Sequence, residues 1–131
     1  MELHLKITGG IMVALAMLHL AFPRYFEWSK ELAPLSLVNK QLMYVHTFFI
    51  GLVVLLMGII CLYSANDIVN TKLGKQLALG FFVFWCTRLA FQFFVYSSKL
   101  WKGKKLETSI HILFSLLWIY FSAVFFYICL P

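Results

Sequence analysis

The chain has 131 residues, of which 63% are apolar, 18% aromatic and 12% charged, against about 45–50% apolar and about 25% charged in soluble domains. A mean hydropathy of +0.89 excludes a soluble globule, because a small domain buries only part of the surface its unfolded chain exposes. It also excludes a disordered chain, which would be poor in aromatics and rich in charge.

The composition reads as an all-α integral membrane protein. A spanning helix needs about 20 mostly apolar residues, and four stretches qualify, at about 5–23, 41–64, 76–98 and 108–130. Their short links predict an antiparallel, up-down four-helix bundle that forms one domain over residues 1–131. In the first span Ala14-Leu15-Ala16 looks like a signal-peptide cleavage site. The apolar run continues through Phe22, however, and the start carries Glu2 and His4 rather than a basic cluster, so a retained helix is expected. Pro23 is expected to end that helix. Arg24-Tyr25-Phe26-Glu27-Trp28 then marks a water–lipid boundary, with amphipathic aromatics beside charges.

Residues 29–37, interrupted by Pro34, read as a short interfacial segment between the first two spans, with a plain polar loop as the alternative. Gly51 and Gly58 in the second span suit close helix packing, as do Gly9, Met12, Ala16 and His19 on one face of the first. Cys61, Cys86 and Cys129 lie far apart in apolar segments without a CxxC, and read as small buried hydrophobes rather than a redox pair or metal clamp.

The net charge of +6 is not a nucleic-acid signal, because the basic residues cluster between apolar runs, where they meet lipid head groups. Lys6, Lys72 and Lys75 fall on one side of the membrane. Arg24, Lys30, Lys40, Lys99, Lys102, Lys104 and Lys105 fall on the other. This bias predicts cytoplasmic first and third loops in a cell (inner) membrane, with both termini outside.

Ionisable residues inside spans are costly and point to function. At about 1.5 Å per residue, His19, His46 and His111 fall in one layer in the cytoplasmic half, from three different helices. Arg88, Gln92 and Tyr96 share a face of the third span at i, i+4 and i+8, with Trp85 one turn earlier. Thr108, His111, Ser115, Trp118 and Ser122 form a polar-aromatic stripe on the fourth. Any one of these histidines or Gln92 could serve only as hydrogen-bonding glue between helices, and Trp85 and Trp118 could be core filling. Arg88 is the most informative residue, since none of the five acids (Glu2, Glu27, Glu31, Asp67 and Glu107) lies inside a span. Its compensation must come from rim acids, from backbone carbonyls or from a bound anion. The His19 carbonyl is one candidate, because Pro23 has no N–H to give it.

Three kinds of chemistry fit. The leading reading is haem b for redox or electron-transfer chemistry, held by His46 and His111 with His19 as a supporting donor or alternative ligand, Arg88 on a propionate, and Trp85, Gln92, Tyr96, Ser115 and Trp118 around the ring. A second is zinc or another transition metal on His19, His46 and His111, with an open position for water or substrate; it lacks a nearby carboxylate base. The third needs no cofactor: a non-catalytic binder, transporter or accessory subunit that recognises a quinone, a lipid or another amphiphile, with the polar layer fixing helix register in its blandest form. Association with itself or with a larger membrane complex is compatible with all three.

His19-Leu20-Ala21-Phe22-Pro23 followed by Tyr25-Phe26 resembles the end of the first helix in small DoxX-like four-helix membrane proteins. The resemblance covers about one tenth of the chain, is mostly boundary chemistry, and implies no functional residues.

Overall fold

The computed structural model describes residues 1–95 and 103–131. These residues fold into six helices: α1 (Glu2–Tyr25), α2 (Trp28–Glu31), α3 (Leu37–Tyr63), α4 (Ala65–Asn70), α5 (Lys72–Phe94) and α6 (Lys105–Cys129). Helices α1, α3, α5 and α6, of 24, 27, 23 and 25 residues, are long and apolar enough to cross a membrane. Each of the four expected apolar runs therefore holds one long helix, the third as far as Phe94, with its residues 96–98 outside the described residues. The chain divides into two compact units, Leu3–Ala65 and Asn66–Pro131, with Met1 and Glu2 belonging to the second.

In the first unit α1 and α3 run antiparallel. A Cβ on Gly9 would lie 2.7 Å from the Gly58 carbonyl oxygen, and one on Gly58 would lie 2.8 Å from that of Gly9. The two backbones touch there, as only glycine allows. Seven residues along each helix the contact repeats more loosely: a Cβ on Gly51 would lie 3.0 Å from His19 Cβ and 3.6 Å from the Ala16 oxygen. Leu5, Thr8, Met12, Leu15 and Ala16 form the buried stripe of α1 at three- and four-residue intervals, answered on α3 by Val54, Met57 and Cys61. In lipid such association rests on van der Waals fit, because apolar area gains nothing by leaving a hydrocarbon solvent.

Pro23 does not end α1. Its ring removes one N–H, but the Phe26 N–H still reaches the Phe22 carbonyl at 2.9 Å and closes a further turn, since a proline near a helix end costs only the bond it cannot donate. The chain reverses at Glu27, which has a φ of 52°. The interfacial segment expected over 29–37 is a single helical turn, α2, followed by a turn through Pro34. Trp28 opens α2, is buried, and sits edge-on to Tyr44 of α3, ring centroids 5.4 Å apart. α3 starts at Leu37, ahead of its apolar run, because the Ser36 hydroxyl accepts the Asn39 N–H at 3.4 Å and caps the first turn.

In the second unit the link before α5 is itself helical. Thr71 organises it: its hydroxyl donates to the Asp67 carbonyl at 2.7 Å and accepts the Gly74 N–H at 2.9 Å, which finishes α4 and caps α5 with one side chain. Gly74 is required by space, because a Cβ would collide with the backbone of Asp67 and Ile68. α5 and α6 then pair antiparallel, Phe81 meeting Phe125 edge-on at 5.3 Å and Trp85 meeting Phe121 at 4.9 Å. Phe121 and Phe125 have no exposed surface and form the centre of this hairpin.

Candidate functional site

On α5, Trp85, Arg88 and Gln92 are spaced by one helical turn each and share a face. On α6, His111, Ser115, Trp118 and Ser122 do the same. The antiparallel register brings these rows together. Gln92 Nε2 donates to His111 Nδ1 at 2.9 Å and lies 3.4 Å from the His111 carbonyl oxygen. Two turns along, Trp85 and Trp118 stack with centroids 4.9 Å apart and planes at 20°. The Arg88 guanidinium carbon lies 5.4 Å from the centroid of Trp118, a cation–π geometry. Ser115 donates to the His111 carbonyl at 2.7 Å, which spends its hydroxyl on its own helix.

The amide of Gln92 fixes a tautomer. Its nitrogen faces two acceptors, and the flipped amide would set oxygen against the His111 carbonyl. Nδ1 of His111 is therefore the lone-pair nitrogen, and Nε2 carries the proton of the neutral ring. A neutral imidazole that ligates through Nε2 needs the reverse arrangement.

Donors dominate the hairpin. Among the described residues the buried indole nitrogens of Trp85 and Trp118 and the buried hydroxyl of Ser122 have no hydrogen-bond partner; Trp85 is 2% exposed. Such orphaned buried groups are uncommon. Gln92 is buried and Arg88 half-buried. α5 contains no acid, and the one acid of α6, Glu107, is in its first turn.

His19 and His46 stand on the other unit. His19 Nδ1 bonds the Leu15 carbonyl at 2.8 Å, and the ring, half-buried, leans on Phe22 at 4.8 Å. His46 Nδ1 bonds the Leu42 carbonyl at 2.8 Å, and its residue is exposed. A carbonyl can only accept, so each Nδ1 carries a proton, which in the neutral ring leaves the lone pair on Nε2. Tyr96 lies outside the described residues. Among the described residues no group of three or more His, Cys, Asp or Glu could hold a metal ion.

Phe114 escaped the sequence reading. It stacks on Trp118 at 5.5 Å with planes at 18°, and its place one turn before Trp118 was the available signal. Comparison with protein-family models, curated proteins and solved structures gave no match.

Proposed function

We propose that the α5–α6 hairpin recognises an amphiphile whose head group carries acceptor oxygens, such as the carbonyls of a quinone or the phosphate of a lipid. The protein then acts as a membrane-embedded binder, carrier or accessory subunit. The observation that carries this reading is the excess of donors. Trp85, Trp118 and Ser122 carry buried N–H or O–H donors that have no hydrogen-bond partner among the described residues, and the Arg88 guanidinium lies over the Trp118 ring. A site of that kind selects against ligands that also bring donors and favours those that bring only acceptors. The basic bias of the loops supports an orientation with the Lys104 side in the cytoplasm and both termini outside.

The test is ligand content in mild detergent, with melting temperature measured alongside. Arg88→Gln should lose most copurifying quinone or anionic lipid, as organic extraction and mass spectrometry would read it, while its melting temperature stays unchanged or rises. Removing a charge eases insertion into an apolar phase. Arg88→Lys should be intermediate, because it keeps the charge but not the planar fork. Unchanged ligand content with a lower melting temperature would defeat the reading.

A second reading has its own support. His19 and His46 both hold the tautomer in which Nε2 is ready to ligate, each through a 2.8 Å bond to its own helix. Haem b on these two histidines would supply redox chemistry. An absorption spectrum with a Soret band that disappears in both His19→Ala and His46→Ala would establish it, and a featureless spectrum in haem-supplied cells would remove it.

A further inference from the structure

The corner that joins α1 to α3 carries an open groove of about 540 Å³, lined by Pro23, Arg24, Glu27, Ser29, Lys30 and Tyr44. It belongs wholly to the first unit and uses none of the α5–α6 residues. Two cations, one carboxylate and two hydroxyls line it together. The left-handed turn at Glu27 makes this possible. Among the described residues it is the one non-glycine position with a positive φ, a conformation a glutamate adopts only when its surroundings hold it there. Trp28, buried in the same corner, braces Tyr44 edge-on. Beside the groove, Tyr25 and Phe26 are exposed, as aromatics are where a helix leaves the hydrocarbon for the head groups.

A ligand at that level must match both signs of charge. Arg24 and Lys30 suit a phosphodiester, the guanidinium by a two-point fork and the ammonium as a point charge. Glu27 needs a cation that can donate hydrogen bonds. A choline head has no N–H to give it. A glycerol head brings no positive charge and leaves the carboxylate facing a phosphate. A primary ammonium two carbons from a phosphodiester answers all three side chains.

We propose that this corner binds the head group of phosphatidylethanolamine. The test is native mass spectrometry of the full chain, equilibrated with equal amounts of phosphatidylethanolamine, phosphatidylcholine and phosphatidylglycerol of matched acyl chains. The wild type should retain the ethanolamine lipid over each of the others by roughly tenfold, the scale of one hydrogen bond to a charged group. Arg24→Gln with Lys30→Gln should lower its retention by at least the same factor. Glu27→Gln should keep phospholipid but lose the preference for ethanolamine over glycerol. Equal retention of the three lipids by the wild type would overturn the proposal, whatever the variants do. So would displacement of the lipid by millimolar inorganic phosphate, which would mark a plain phosphate site.

Discussion

Gln92 gives one amide nitrogen to two acceptors of a single residue, His111 Nδ1 at 2.9 Å and the His111 carbonyl at 3.4 Å. The contact ties the orientation of an imidazole to the backbone of its own helix. It also couples α5 to α6 at the same level.

Nitrogen-15 spectra of histidine-labelled protein should show His111 as the Nε2–H form, with His19 and His46 as Nδ1–H. Gln92→Glu should move His111 away from that form, because a carboxylate accepts from Nδ1–H. Gln92→Ala should cost about 0.6–1.7 kcal/mol of stability, the range for interhelical hydrogen bonds in membranes. An Nδ1–H signal for His111 in the wild type would refute the assignment.

The backbone contact between α1 and α3 predicts a sharp contrast between two glycines of the first unit. Gly58→Ala should lose roughly 1–3 kcal/mol, the usual cost of overpacking, since the new methyl meets the Gly9 carbonyl rather than a movable side chain. Gly10→Ala, with open space around its Cβ, should be neutral or should gain up to about 1 kcal/mol from helix propensity. Melting curves of the two variants in one detergent would compare them directly, and equal effects would remove the contact from the account.

Topology can be checked by labelling. Lys104→Cys in a background without the three native cysteines should react with an impermeant maleimide only from the cytoplasmic side. Reaction from outside would reverse the orientation drawn from the basic residues.

The long helices were legible because about 20 apolar residues in a row admit few other structures. The Arg88–Gln92 face and the Ser115–Trp118 stripe were legible because helical spacing sets them before any packing occurs. Helix ends were less so. The apolar pattern gave no notice that Ser36 would start α3 among polar residues, or that Thr71 would turn a loop into a helix and a cap. Both depend on single hydroxyls. The passage of α1 beyond Pro23 depends on one hydrogen bond, from Phe26 to Phe22. The tautomers of the three histidines lay wholly beyond sequence, because each is set by the atom its Nδ1 meets.

The two glycine contacts of the first unit carry a mechanical consequence. α1 and α3 touch at Gly9–Gly58 and again where Gly51 meets Ala16 and His19, two turns apart. Helices pinned at two points cannot scissor, and each stiffens the other against bending. At 27 residues α3 is about 40 Å long, whereas the hydrocarbon core of a bilayer is about 30 Å thick. A bilayer thinner than the pair must therefore be met by tilting both helices together, as a single beam, rather than by curving either one.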